Sequence, residues 1–249
     1  MSSQNTKTIA SGKELDQRKK FFDLYSSNPI PDGEKLSNLG LFVKRQELSK
    51  VIYLNHIYNQ ILNTHGVIME FGTRWGQNLV TLSSLRGMYE PYNYSRKIVG
   101  FDTFAGFEGV SDKDGGHGII RKGSFSVTEG YEQYLNEVLA YHEMESPLAH
   151  IRKFELVKGD ATVEIKKYLE AHPETIVALA YFDFDIYEPT LKCLEAILPY
   201  LSRGGVIAFD ELTDPHFPGE TVALRETLAN KFRIRRVPYC GIQSYLVYE

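Results

Sequence analysis

The chain has 249 residues, 43% of them apolar and 24% charged, the proportions of an ordinary globular protein in which about 70% or more of the unfolded surface can be buried; collagen-like, disordered and miniature disulfide folds are excluded. With 28 Lys+Arg against 32 Asp+Glu the net charge is −4, so there is no general attraction to nucleic acid or to an anionic membrane. The two cysteines, Cys193 and Cys240, form no CxxC pair and no disulfide framework; they read as reduced thiols in a cytoplasmic protein, and without an apolar h-region or a membrane-length apolar run neither export nor insertion is expected.

Residues 1–12 are small and polar and are expected to fray, as part of a partly flexible N-terminal extension over 1–40. From Leu41 to Asn63 the residues Val43, Leu48, Val51, Ile52, Ile57, Ile61 and Leu62 suit an amphipathic helix that precedes the first strand. VIMEF (67–71), GTRWGQN and LVTLSSLRGMY then give strand, glycine turn and helix, the opening of a βαβ unit. KIVGFD (97–102), FELVKGD (154–160), VALAYFDFD (177–185) and GGVIAFDEL (204–212) are further strands, with TVEIKKYLEAH and PTLKCLEAILPYL as helices after the third and fourth. FRIRRVPY and SYLVYE add two more that could form an antiparallel edge. The alternation predicts a Rossmann-like, doubly wound, mostly parallel α/β sheet of about seven strands with helices on both faces. One stretch, at about 103–150, exceeds a simple crossover: SDKDGGHGIIRKGSF breaks any continuous helix before EGYEQYLNEVLAYHEM. An insertion of that size is either a lid or binding loop or a solvated excursion.

Ligands of open α/β sheets bind beyond the carboxyl ends of the strands. Acids gather there: Glu70, Asp102, the pair Asp183 and Asp185, the pair Asp210 and Glu211, and Asp160 after the third strand. The turn Gly72-Thr73-Arg74-Trp75-Gly76 has Arg74 where the middle glycine of a dinucleotide fingerprint would stand, which disfavours pyrophosphate. Glu70 before the turn suits a cationic group instead, and S-adenosylmethionine carries an ammonium and a sulfonium with no phosphate.

Over MEFGTRWGQN, VGFDTFAGFEG, AYFDFDIYEPT, GGVIAFDEL and HFPGETVALRE the chain resembles class I S-adenosylmethionine-dependent methyltransferases, and within them the macrocin O-methyltransferase family, which methylates hydroxyls of deoxysugars and nucleotide-linked deoxysugars. The resemblance spans about residues 40–249, with the methyltransferase domain over 41–249. It implies that Glu70, Gly72, Thr73 and Gly76, with Arg74 in the same turn, shape the amino-acid end of the donor site. It puts Asp102, Thr103 and Phe104 at the ribose, and Asp160 and Ala161 at the adenine. Metal-dependent relatives place one acid after the fourth strand and a pair after the fifth around a divalent cation; here these are Asp183, Asp210 and Glu211, with Glu211 where Asp or Asn is usual. Such oxygen ligands suit Mg²⁺, with Mn²⁺ as substitute.

A sugar hydroxyl must lose its proton as it attacks the methyl group, and Asp183 is the expected base with Asp185 as the alternative. His117 or His142 would serve a metal-free mechanism. His216, Tyr187 and Arg121 are candidate acceptor contacts, with Lys122 and Arg45 as further partners for phosphates and Trp75, Phe104 and Phe107 as stacking surfaces. The expected acceptor is a nucleotide sugar or a glycoside, and the expected assembly a homo-oligomer. Two rivals remain: a nicotinamide-dependent oxidoreductase on a similar sheet, which Arg74 opposes, and a non-catalytic sensor, which would not need the acids Asp183, Asp210 and Glu211.

Overall fold

Ser11 and Glu14 form a reciprocal capping box, Ser11 Oγ accepting from Glu14 N and Glu14 Oε2 from Ser11 N, so that a helix, α1 (Gly12–Ser26), begins where fraying was expected. The computed structural model describes residues 10–228 and 231–249, and the fraying expected of residues 1–9 lies outside them. After α1 come α2 (Asp32–Lys35), a 3-10 turn (Leu36–Phe42) and α3 (Arg45–Gln60). The amphipathic helix read from Leu41 thus starts later, because Val43 is extended (φ −77°, ψ 107°) and separates the 3-10 turn from α3.

The chain divides into two units, one ending at Lys50 and the other Val51–Glu249. In the first, the rings of Phe21 and Tyr25 meet Phe42 at 6.2 and 5.1 Å, and no side chain of α1, α2 or the 3-10 turn is buried.

The second unit holds β1 (Val67–Phe71), α4 (Gln77–Tyr89), β2 (Ile98–Asp102), α5 (Tyr131–Met144), β3 (Phe154–Lys158), α6 (Ala161–Ala171), β4 (Val177–Phe182), α7 (Tyr187–Ile197), β5 (Leu201–Phe209), α8 (Gly219–Leu228), β6 (Arg235–Arg236) and β7 (Ser244–Val247). The seven strands are ordered β3-β2-β1-β4-β5-β7-β6. β1 to β5 run parallel, and β7 pairs antiparallel with β5 and β6. FRIRRVPY contributes only the two residues of β6, an edge where Pro238 offers no N–H to a ladder. The doubly wound reading therefore holds. Ile68, Ile98, Leu179 and Val206 point to α3, α4 and α5, while Met69, Val99, Ala180 and Ile207 point to α6, α7 and α8. A buried ion pair ties the first layer together: Arg86 of α4 reaches Glu143 of α5 at 2.9 Å and the Lys153 carbonyl at 2.7 Å.

Four phenylalanines cross the sheet in one row. Phe101, Phe71, Phe182 and Phe209 are register partners across β2, β1, β4 and β5, fully buried, with neighbouring rings stacked at 5.1, 4.8 and 5.3 Å and within 19° of parallel. The residue after each is Asp102, Gly72, Asp183 or Asp210. Removing the central ring, Phe71→Ala, is expected to cost about 3–5 kcal/mol in urea unfolding, the range for a truncated core aromatic; a loss under about 1 kcal/mol would show that the row carries no stability.

Candidate active site

β1 and β4 are the neighbours at which the strand order reverses, so the crevice above their carboxyl ends is where a ligand of such a sheet sits. The backbones approach closely there: a Cβ on Gly72 (φ +96°) would lie 2.1 Å from the Asp183 carbonyl oxygen, so only glycine fits. Gly76 (φ +77°) opens α4, and a Cβ there would meet Leu135 of α5 at 2.4 Å. Trp75 packs edge-on against Tyr131 at 4.6 Å, and the Tyr131 hydroxyl donates to its carbonyl. The glycine turn is thus pressed between the sheet and α5.

Beneath the turn lie polar groups with no access to water. Glu70, in register with Gly100 and Tyr181, is fully buried. Thr73 is buried with its hydroxyl over Gly100, where a Cβ would lie 2.5 Å away, and its Oγ1 has no hydrogen-bond partner among the described residues. Asn78, in the first turn of α4, donates from Nδ2 to Asp183 Oδ2 at 3.0 Å, and its buried Oδ1 is without a hydrogen-bond partner among the described residues.

Asp102 receives the Arg74 N–H at Oδ2 (2.7 Å) and the Phe104 N–H at Oδ1 (2.5 Å). Burial raises its carboxyl above the ordinary aspartate range, and those two hydrogen bonds partly offset the rise. Thr103 Oγ1 donates to the Gly106 carbonyl, and Phe104 is buried at φ +57°. Arg74 itself has φ +46° and lays its guanidinium over Phe125 at 4.9 Å. Burial lowers its pKa, while the charges of Asp185, Asp183 and Asp102 pull it back up. Asp160 accepts from Thr162 N at 2.9 Å and caps α6, whose first residue, Ala161, is buried.

The remaining acids meet just past β4 and β5. Asp210 Oδ1 accepts the hydroxyl proton of the buried Tyr181 at 2.6 Å and lies 3.5 Å from Gln243 Nε2. The half-buried Asp185, at φ +63°, has its carboxyl pushed well above the usual range by burial first and then by Glu211, Asp183, Glu220 and Asp210. The fully buried Glu220 is raised by burial and by the charges of Asp183 and Asp210. The donor set is all carboxylate with an excess of negative charge, which fits a hard divalent cation. Among the described residues no group of three or more His, Cys, Asp or Glu side chains is arranged as a metal shell, so the fit is one of donor chemistry rather than of a preformed site.

The insertion is docked, not a solvated excursion. Asp114 is fully buried; its Oδ1 accepts the Tyr187 N–H at the start of α7, and its Oδ2 the N–H and hydroxyl of Ser111 at 2.6 and 2.9 Å. Ile119 and Ile120 pack with Ile186 and Phe217, flanked by Phe107, Phe125 and Phe184. The Tyr187 hydroxyl is held by Glu226 and Lys113, in a clasp of α7, α8 and the insertion. His216 lies 3.2 Å from Asp214 and edge-on to His117 at 5.4 Å, which brings those two histidines together, whereas His142 sits in the last turn of α5. Arg121 and Lys122 are exposed. Asn78, Tyr181, Gln243 and Asp114 are additions of the structure. Asn78 alone left a sequence signal, as an asparagine inside the start of a helix, where that residue is disfavoured.

No protein-family model matches the chain, and no curated protein matches it. Among solved structures, one described as CalS11, calicheamicin methyltransferase, is 41% identical with a TM-score of 0.93, covering 100% of this chain and 98% of that one. An apo structure of CalS11, described as a TDP-rhamnose 3′-O-methyltransferase of calicheamicin biosynthesis, is 38% identical with a TM-score of 0.84 and covers 99% of each chain. The O-methyltransferase NovP, 17% identical with a TM-score of 0.57 over 81% of this chain and 80% of that one, shares the fold.

Asp114→Ala removes the buried acceptor that joins the insertion to α7, at an expected cost of about 1–3 kcal/mol. Limited proteolysis should then cut within 103–130 faster than in the unaltered protein; equal cutting rates would mean that the insertion is held by its apolar contacts alone.

Proposed function

The chain belongs to the sugar O-methyltransferase family, and we propose that it moves the methyl group of S-adenosylmethionine to a hydroxyl of a deoxysugar, carried on a nucleoside diphosphate such as dTDP. The observation that carries this reading is that the glycine turn, with Arg74 where a dinucleotide fingerprint has its middle glycine, and the buried Glu70 lie at the carboxyl ends of the strands with Asp102, Asp183, Asp185, Asp210 and Glu211. The TDP-rhamnose on which the 38% identical relative acts supports the acceptor class. A cytoplasmic setting belongs to the same reading: Cys193 and Cys240 are buried thiols, and no helix among the described residues is long and apolar enough to cross a membrane.

In this reading Glu70, Thr73 Oγ1 and Asn78 Oδ1 offer acceptors to the ammonium of the donor. Each Asp102 oxygen, having taken one backbone N–H, keeps a lone pair for a ribose hydroxyl. Ala161, beside the capping Asp160, borders the adenine. Asp183 accepts the proton of the acceptor hydroxyl, its Oδ2 oriented by the Asn78 amide, whereas burial and the neighbouring carboxylates favour a proton on Asp185. Asp183, Asp210 and Glu211 would hold Mg²⁺ or Mn²⁺, which when bound lowers the pKa of the hydroxyl and orients it. His216 and Arg121 remain the proposed acceptor contacts, and Tyr187 contributes through the clasp of α7 and α8. The exposed Phe22, Leu24, Leu36 and Leu41 of the N-terminal unit support assembly into a homo-oligomer, which light scattering at micromolar concentration would contradict by giving a monomer.

Incubation with labelled S-adenosylmethionine and a dTDP-deoxysugar should yield a mono-methylated sugar nucleotide by mass spectrometry. Excess chelator should abolish that turnover and leave donor binding intact; full activity in chelator would remove the cation from the proposal. By calorimetry, Glu70→Ala and Asp102→Ala should each weaken S-adenosylhomocysteine binding by about 1–3 kcal/mol, and unchanged affinity in both would overturn the donor site. The pH dependence has a sign. Protonated Asp102 cannot accept from two hydroxyls, and its carboxyl titrates above the ordinary value of 3.8. Donor affinity should therefore fall on acidification while the pH is still above 3.8, and Asp102→Asn should abolish that dependence.

A further inference from the structure

Glu220, the second residue of α8, is fully excluded from water. Its side chain receives backbone hydrogen bonds from two different turns. Oε1 accepts the N–H groups of Phe184 at 3.0 Å and Asp185 at 3.3 Å, both after β4, and Oε2 accepts the N–H of Glu211 at 3.3 Å, after β5. These turns carry Asp183 and Asp185 on one side and Asp210 and Glu211 on the other. The ladder between the strands ends at the pair Phe182 and Phe209, followed by one bond from Asp210 N to the Phe182 carbonyl at 2.9 Å. Beyond that level the Glu220 carboxylate bridges the turns. The Asp185 N–H that it holds belongs to a residue at φ +63°, a left-handed conformation that is unfavourable for a residue other than glycine.

The preceding residue makes this reach possible. A Cβ on Gly219 would stand 2.5 Å from Tyr187 N and 2.7 Å from Asp114 Oδ1, so glycine lets the start of α8 lie flush against the start of α7. A carboxylate is also an expensive choice at this place. Burial and the charges of Asp183 and Asp210 oppose its ionised form, yet only a carboxylate presents two acceptor oxygens and no donor to N–H groups on opposite sides.

We infer that Glu220 is a positioning residue, which fixes the separation of Asp183 and Asp185 from Asp210 and Glu211 by bridging the backbones of the two turns, without touching donor or acceptor. For its kinetic consequence the inference rests on the proposed methyl transfer; for its structural content it does not.

The test is Glu220→Gln in the full chain, in which an amide keeps one acceptor and turns an N–H₂ toward one of the turns. The melting temperature and the S-adenosylhomocysteine affinity should stay close to those of the unaltered protein. kcat should fall about 100-fold with the donor KM unchanged, as for a small misplacement of reacting groups, and Glu220→Asp, one methylene too short to reach both turns, should not restore it. A kcat within about twofold of the original, or a loss of donor affinity in step with melting temperature, would overturn the inference. Amide hydrogen exchange of the unaltered protein supplies a readout that needs neither turnover nor a folded variant. The Phe184, Asp185 and Glu211 amides should be protected although they lie in turns; exchange at unprotected rates would refute the bridge even if methyl transfer is observed, and protection would uphold it even if no methyl transfer is found.

Discussion

The stacked row Phe101, Phe71, Phe182 and Phe209 sets the level of everything above it. Parallel strands can slip relative to one another only by changing which side chains meet, and a slip of one residue would turn each ring to the other face. Four flat rings in contact at about the same height exclude that. Because the next residue on each strand is Asp102, Gly72, Asp183 or Asp210, the same packing that stabilises the second layer also brings the acids and the glycine turn to a common edge. A hydrophobic constraint thereby produces a polar site.

That site is electrostatically costly. Burial and the neighbouring carboxylates raise the pKa values of Asp185 and Glu220, and the charges of Asp185, Asp183 and Asp102 act on the guanidinium of Arg74. Hydrogen bonds from Asn78, Tyr181 and the backbone N–H groups on Glu220 hold the individual oxygens. Groups arranged at such expense are characteristic of places where chemistry is done, and the excess of negative charge is matched to a cationic methyl donor better than to a phosphate-bearing dinucleotide.

The insertion after β2 belongs to the same machinery. Asp114 donates nothing to a reaction, yet it accepts the first free N–H of α7 and stands against Gly219 at the start of α8. The helices that follow β4 and β5 are thereby joined at their N-termini by a residue distant in sequence, and the apolar group Ile119, Ile120, Ile186 and Phe217 closes the junction.

The alternation of strands and helices, the antiparallel edge and the glycine turn were legible in the sequence because they depend on local patterns: apolar runs of strand length, helices between them, and glycines at fixed offsets from Glu70. The candidate acids were legible for the same reason, as residues directly after strands. Helix starts were less so: the cap at Ser11 opens a helix where fraying was expected, and the extended Val43 delays the start of α3, neither of which periodicity registers. What only the tertiary structure decided is which groups serve those acids. Asn78 meets Asp183, Tyr181 meets Asp210, Glu220 spans two turns, and Asp114 docks the insertion, at separations in sequence of 105, 29, 36 and 73 residues. Such pairings follow from sheet register and helix packing acting together, and no spacing along one chain encodes a contact between side chains that the fold alone brings within 3 Å or so.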